Sequence, residues 1–219
     1  MNELVIAMDG PAGTGKSTVS RAVANELGLP HLDTGAFYRA AGLAALRSNL
    51  DLGDEAAVVR RVVEAILEQT EGRMYLDGVD VTRDIRTAAA TNASSVVSAY
   101  PSVRSTLVGL QRAWVGEHGG RAVVEGRDIG SVVFPDATVK VYLDATPETR
   151  AQRRSDETGE PYTEVLTQVM ERDSRDSTRA DSPLIVPSGA HVIDTSALGL
   201  EEVIEHVLAL VESRQTDRS

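Results

Sequence analysis

The sequence predicts an α/β fold with a parallel sheet at its centre, and three observations support this. Four short apolar runs, at residues 5–8, 122–125, 139–144 and 191–194, have the length and composition of buried strands. Helical patterns separate them, as in parallel sheets joined by crossover helices. Apolar residues recurring every three to four positions between Leu200 and Val211 predict a closing helix with one buried face. Together these observations predict a three-layer α/β core.

The loop after the first strand has the spacing Gly-x-x-x-x-Gly-Lys-Ser over residues 10–17, which is typical of a P-loop. Its glycines allow a tight turn whose N–H groups reach phosphate oxygens, and the helix that follows directs its positive dipole end at the same anion. Lys16 would contact the β- and γ-phosphates, and Ser17 would offer its hydroxyl to Mg²⁺ as the metal ligand. The residues expected to bind the nucleotide are Gly10, Pro11, Ala12, Gly13, Thr14, Gly15, Lys16, Ser17 and Thr18. The alternative is a glycine-rich turn that only joins a strand to a helix.

Two segments interrupt the alternation of strands and helices. Residues 55–69 have a helical pattern, and residues 73–82 predict a small hairpin around Asp77-Gly78, so we expect an inserted subdomain at about 54–100. The polar stretch 155–161 predicts a turn between two arginine-rich helices, so we expect a mobile lid at about 151–175. The predicted core comprises residues 1–53, 101–150 and 176–213, within a single domain of 219 residues.

Composition excludes several classes of function. The net charge of −11 argues against a large nucleic-acid surface, because such surfaces need basic patches. The chain contains no cysteine, which excludes disulfides, thiolate zinc sites and thiol nucleophiles. No apolar stretch approaches the ~18 residues of a membrane span, and no basic segment leads into an apolar signal core. We therefore expect a cytoplasmic monomer that binds small phosphorylated ligands and neither nucleic acid nor membranes.

A P-loop alone does not separate kinases from other nucleotide-dependent proteins. A GTPase would carry an Asn-Lys-x-Asp motif, which this sequence lacks. A motor or transporter ATPase would usually have an apolar strand ending in Asp-Glu, whereas the strand at 122–125 leads into Gly126-Arg127-Asp128. The remaining motifs must therefore distinguish between these classes of nucleotide-dependent protein.

Those motifs resemble the successive signatures of bacterial cytidylate kinases, in the same order and over nearly the whole chain. They lie at residues 33–39, 80–82, 85–86, 125–130, 132–137 and 171–179. Where many family members have Asp-Gly-Arg-Asp, this chain has Glu125-Gly126-Arg127-Asp128, which retains the carboxylate. The resemblance implies a P-loop nucleoside monophosphate kinase fold and transfer of a phosphoryl group from ATP to CMP or dCMP, with Mg²⁺, in pyrimidine metabolism.

The resemblance also implies roles for individual residues. Arg39 and Arg127 would hold the CMP phosphate with Arg179 nearby, and Thr34 would line the phosphate end of the pocket. Cytosine would be read by Ser95, Arg104 and Asp128, which supply the acceptors and the cationic donor that its N4, N3 and O2 atoms require. Arg172 and Asp176 would contact the ribose. Lys16, Arg127 and the lid residues Arg153 and Arg154 are the candidates for stabilising the transferring phosphoryl group.

Some alternatives remain open at this point. The acceptor could be UMP or a non-nucleotide such as a shikimate-like alcohol, or the chain could be a regulatory protein that binds nucleotide without catalysis. Asp33 could order a Mg²⁺-bound water or cap the helix that begins beside Ala36. Arg150 and Arg175 could equally be functional or structural. The four histidines lack metal-ligand spacing, so we expect structural or exposed roles for them.

Overall fold

The computed structural model describes residues 3–178 and 182–216. The chain forms two compact units. One comprises residues 1–31 and 116–219, and the other comprises residues 32–115. In chain order the elements are β1 (Leu4–Asp9), α1 (Lys16–Glu26), β2 (His31–Asp33), α2 (Thr34–Arg47), α3 (Glu55–Glu64), β3 (Leu67–Thr70), β4 (Arg73–Leu76), β5 (Val79–Asp80), α4 (Ala88–Val97), α5 (Pro101–Glu117), β6 (Arg121–Glu125), β7 (Val139–Asp144), α6 (Pro147–Thr158), α7 (Tyr162–Thr178), β8 (His191–Asp194) and α8 (Leu200–Thr216).

Four strands of a five-stranded sheet, whose order is β2-β6-β1-β7-β8, lie in the first unit, and β2 spans the boundary of the two units in the chain. β1 runs parallel to β6 and β7, and β7 runs parallel to β8. All six residues of β1 are buried, as expected for a central strand covered on both faces. The four strands predicted from the sequence, and the α/β fold class, are confirmed. The predicted burial is wrong for β8, because it lies at the edge of the sheet and all its residues except Ile193 are exposed. The additional strand β2 has only three residues, too few to show a pattern.

Helices α1 and α8 pack on the apolar core of this unit. Val19 and Val23 of α1 meet Val203, Val207 and Val211 of α8 over the side chains of the sheet. The periodicity of the closing helix therefore predicted its buried face, except that Leu200 in the first turn is 48% exposed. These contacts fix α1, and with it the end of the glycine-rich loop, against the sheet.

The second unit contains a small antiparallel sheet in the order β3-β4-β5. Asp77 and Gly78 have φ values of 52° and 77°, and this pair of left-handed residues forms the tight turn predicted for the hairpin. The predicted helix at 55–69 is wrong beyond Glu64, because Leu67–Thr70 forms β3 instead. Leu67 and Gln69 are buried while Glu68 and Thr70 are exposed, which is the two-residue period of a strand.

Helices α6 and α7 pack against each other around Ala151, Val165 and Val169. The predicted turn at 155–161 is shorter than expected, because α6 continues through Thr158 before Gly159 ends it with a φ of 74°. The polar residues of that stretch thus lie on a helix end rather than in a loop. The division into core, insert and lid stays a prediction.

Candidate active site

The glycine-rich loop lies between β1 and α1, where the sequence motif predicts it. Gly10, Gly13 and Gly15 all have positive φ values. A Cβ atom on Gly10 would lie 2.0 Å from the carbonyl oxygen of Leu143, and one on Gly13 would lie 3.1 Å from Cβ of Arg150. The close approach of β7 and α6 therefore requires glycine at these positions.

Lys16 and side chains from three other parts of the first unit bind the carbonyl oxygens of this loop. Arg127 donates to Gly10 O at 3.1 Å, and Arg150 donates to Ala12 O at 3.2 Å. Thr195 donates to Thr14 O at 3.3 Å, and Lys16 donates to Pro11 O. Carbonyl groups held toward the protein leave the opposed N–H groups of the loop available to an anion.

Lys16 is the buried cation of this loop. Its ammonium group donates to Pro11 O and lies 3.4 Å from the Thr14 hydroxyl. Burial lowers its pKa well below the ordinary value, and the positive charges of Arg127 and Arg172 act in the same direction. A bound polyanion would stabilise the charged form of a lysine that is buried among arginines. The electrostatics of the site therefore favour binding of a phosphate group.

Ser17 and Glu125 form the oxygen pair of the site. The Ser17 hydroxyl donates to Glu125 Oε2 at 2.7 Å, joining the first turn of α1 to the end of β6. Hydroxyl and carboxylate oxygens are suitable ligands for Mg²⁺, which commonly takes only one or two protein groups and completes its shell with water and phosphate. The residues present therefore fit the expected ion. Within residues 3–178 and 182–216, no group of three or more histidine, cysteine, aspartate or glutamate side chains could hold a metal by itself.

Asp33, the other acid considered for the metal, caps α2. Its Oδ1 accepts from the N–H of Ala36 at 3.0 Å, and its Oδ2 pairs with Arg39 at 2.9 Å. Of the two readings left open by the sequence, the structure therefore has the capping arrangement.

Asp9, at the end of β1, is a buried acid that sequence reasoning missed. Its two carboxylate oxygens accept from the N–H groups of Ile129 and Gly130, each at 2.7 Å. Burial raises its pKa to about 6, although the two hydrogen bonds act in the opposite direction. Asp9 thereby anchors the π-helical segment Ile129–Val133, which directly follows the buried Asp128.

Two arginine–aspartate pairs connect α7 with the residues around the loop. Arg127 donates to Asp176 at 3.0 Å, and this pair joins two residues for which the family resemblance implies contacts with the phosphate and the ribose. Arg150, 3% exposed, donates from two nitrogens to both oxygens of Asp173. For Arg150 the structure thus shows a role in packing the loop. Arg172, also on α7, is half-buried, and its positive charge contributes to the lowered pKa of Lys16.

The lid candidates on α6 have different surroundings. Arg153 donates to the hydroxyl and carbonyl oxygens of Thr195, the residue that also contacts Thr14. The Nε atom of Arg154 is buried and has no hydrogen-bond partner among the described residues. Arg179, expected near the acceptor phosphate, lies outside the described residues.

The second unit holds the other residues expected to bind substrate. Arg39 folds back on the start of α2 through its pair with Asp33. The Arg104 guanidinium lies over the ring of Tyr38, 5.6 Å from its centroid, and the side chain is 3% exposed. Ser95 donates to Thr91 O within its own helix, and Thr34 is buried at the first position of α2.

Comparison with known proteins identifies the family. The family model described as cytidylate kinase matches residues 6–213. The chain belongs to the cytidylate kinase family. The curated cytidylate kinase of Mycobacterium leprae is 50% identical over 98% of this chain and 98% of its own length. That of Rhodococcus jostii is 49% identical over 97% of this chain and 96% of its own.

Solved structures support the fold. A gluconokinase from Sinorhizobium meliloti superposes with a TM-score of 0.50 at 16% identity, over 96% of this chain and 92% of that one. At this identity the likeness concerns the fold alone. No helix within residues 3–178 and 182–216 combines the length and the apolar composition that crossing a membrane would require.

Proposed function

We propose that the chain transfers the γ-phosphoryl group of ATP to CMP or dCMP, giving CDP or dCDP and ADP. Membership of the cytidylate kinase family, over residues 6–213, is the observation that carries this proposal. The loop at 10–17, with its buried lysine and its Ser17–Glu125 pair, supports it independently. Family membership does not favour the alternatives, a UMP kinase or a kinase for a non-nucleotide acceptor.

The glycine-rich loop would bind the ATP phosphates through its N–H groups, and Lys16 would contact the β- and γ-phosphates. Ser17, supported by Glu125, would hold Mg²⁺, which when bound neutralises charge on the phosphate oxygens. Transfer of a phosphoryl group needs positioning and positive charge more than covalent chemistry. The dense packing of Arg127, Arg150 and Lys16 around one loop supports this role.

On the acceptor side, we assign Arg39, Arg127 and Arg179 to the CMP phosphate and Thr34 to the phosphate end of its pocket. Arg172 and Asp176 would contact the ribose. Asp128 and Ser95 would accept from the cytosine amino group, while Arg104 would donate to its N3 and O2 atoms. The burial of Asp128 and Arg104 supports these roles, because buried polar groups discriminate strongly between matched and mismatched partners.

Arg153 and Arg154 would contribute positive charge from α6 to the transferring group. Closure of this region over the nucleotides would exclude water, which otherwise competes as an acceptor and converts the kinase into an ATPase. We further propose that the protein acts as a cytoplasmic monomer and binds neither nucleic acid nor membranes, in agreement with its net charge of −11.

Formation of ADP from ATP, measured with and without CMP, tests this proposal. We expect ADP to form rapidly only when CMP is present, and CDP to accumulate in equal amount. Hydrolysis of ATP at the same rate in both samples, or no turnover with CMP, would reject the kinase assignment.

A further inference from the structure

His31, the first residue of β2, lies beside the Ser17–Glu125 pair. Its Nε2 atom is 2.9 Å from the Ser20 hydroxyl and 3.2 Å from Glu125 Oε1. The side chains of His31 and Glu125 are 12% and 5% exposed. The imidazole is therefore packed against a residue of the candidate active site, although its place in the sequence gives no such indication.

The Glu125 carboxylate is contacted at both of its oxygens. Oε2 accepts the Ser17 hydroxyl at 2.7 Å, and Oε1 faces the His31 ring. A carboxylate held through one oxygen can rotate about its terminal bond, whereas contacts at both oxygens define its plane. His31 thus supplies the second of the two contacts that orient Glu125 toward Ser17.

The hydrogen bonds around His31 form a consistent set when the ring carries its hydrogen on Nε2. The N–H then donates to the Ser20 oxygen, and Glu125 Oε1 lies 3.2 Å from the same nitrogen. The Ser20 hydroxyl is free to donate to Ser17 O, which lies 3.4 Å away. In this tautomer, His31 connects Glu125 with the same turn of α1 that carries Ser17.

We infer that His31 is a positioning residue for the metal–nucleotide complex, acting through Glu125 rather than by touching the substrate. This inference rests on the proposed function, in which Ser17 and Glu125 serve the Mg²⁺ that accompanies ATP. Partners behind a metal-binding group commonly change metal affinity or activity by about 10- to 100-fold when they are removed. Loss of the His31 contact should therefore weaken binding of MgATP and leave binding of metal-free ATP unchanged.

The test compares His31→Leu with His31→Gln by titration calorimetry. The Gln amide nitrogen is as many bonds from Cβ as the histidine Nε2, so this variant retains an N–H donor at that place, whereas leucine retains none. For His31→Leu we expect MgATP to bind about 10-fold more weakly than to the wild type. ATP in EDTA should bind all three proteins equally, and His31→Gln should recover most of the MgATP affinity.

Three further variants complete the experiment. His206→Leu, at an exposed position of α8, controls for the loss of an imidazole and should match the wild type. In a Glu125→Gln background, His31→Leu should have little additional effect, because the group that it orients has lost its charge. If His31→Leu fails to fold, His31→Asn replaces it, since asparagine is too short to bring a donor to the same place.

The outcomes are distinct. Equal MgATP affinity in His31→Leu and the wild type, or an equal loss for MgATP and metal-free ATP, would overturn the inference. Failure of His31→Gln to recover MgATP affinity would do the same. Because the calorimetry contains no acceptor, a wild type that binds MgATP but does not phosphorylate CMP would reject the proposed function and leave this test intact.

Discussion

Arg127 donates to Asp176 on α7 at 3.0 Å while it also donates to Gly10 O in the glycine-rich loop at 3.1 Å. One guanidinium thus joins the nucleotide loop to a residue expected to bind the ribose of the acceptor. An arginine with a fixed fork of donors is well suited to holding a phosphate while keeping such contacts.

Arg127→Ala should therefore impair the use of CMP more than the binding of ATP. A hydrogen bond to a charged group contributes about 1.5–3 kcal/mol, so we expect kcat/KM for CMP to fall roughly 10- to 150-fold. Arg175→Ala is the matched control, because Arg175 is exposed on α7 and, among the residues that the structure describes, donates to the carbonyl of Glu171 in its own helix. Weaker ATP binding with an unchanged KM for CMP would reverse the assignment of Arg127.

Lys16→Ala should remove most turnover while leaving the fold intact. The buried ammonium neutralises charge on the transferring group, yet its own burial is unfavourable, as the lowered pKa of Lys16 indicates. We expect only a small change in Tm. Lys140→Ala, which removes the other lysine of the chain, should keep near wild-type kcat. A purified, folded Lys16→Ala protein with wild-type rates would contradict the P-loop assignment.

Asp9 should make the free energy of unfolding decrease as pH rises from about 4 to about 6. Its folded-state pKa of about 6 exceeds the ordinary value of 3.8, so the folded protein binds a proton more tightly than the unfolded chain. Stability is then lost as pH rises through this window, by about 3 kcal/mol in total.

Urea unfolding of the nucleotide-free protein from pH 4 to pH 7 measures this effect. The free energy of unfolding of the wild type, minus that of Asp9→Asn, should decrease as pH rises. Asp136→Asn, at an exposed position, should show no such trend against the wild type. A difference for Asp9→Asn that is constant with pH would mean that folding does not shift the pKa of Asp9, and one that grows with pH would mean that folding lowers it; either result would contradict the prediction.

Asp173→Ala should destabilise the protein, because it leaves the buried Arg150 guanidinium without its carboxylate. Removing one partner of a buried pair costs about 3–5 kcal/mol, and because Asp173 is partly exposed we expect a loss of about 3 kcal/mol. Glu171→Ala, exposed on the same helix, should change stability little. Equal unfolding midpoints in urea for the two variants would mean that Arg150 is held by its carbonyl contacts alone.

The sequence predicted the parts of the fold that local patterns encode. Buried strands such as β1 and β7 are continuous apolar runs, and Asp77-Gly78 is a strong turn signal. The helix predicted at 55–69 is wrong at its end, because a four-residue strand separated from a helix by only two residues is too short to shift the periodicity. Tertiary pairing with β4, rather than local preference, makes Leu67–Thr70 extended.

The candidate site likewise contains residues that a local sequence pattern predicts and residues that only the folded chain brings together. The glycine-rich loop is contiguous, so its motif identifies Lys16 and Ser17 directly. Asp9 and Gly130, by contrast, are 121 positions apart, and the Ser17–Glu125 bond spans 108. No local sequence pattern predicts contacts between residues so far apart in the chain. The same holds for His31 and for the pairing of Arg150 with Asp173, which only the folded chain brings together.

The most direct measurement is the steady-state efficiency of CMP, dCMP, UMP, AMP and GMP as acceptors at fixed MgATP. Uracil presents an oxygen where we assign the Asp128 carboxylate and an N–H where Arg104 would donate, so both contacts become unfavourable. At about 1–3 kcal/mol for each mispaired group, CMP and dCMP should exceed UMP by on the order of a hundredfold, with AMP and GMP essentially inactive. Asp128→Ala should lose efficiency with CMP and narrow the gap to UMP. Equal efficiency of UMP and CMP in the unmutated protein would contradict the proposed recognition of cytosine.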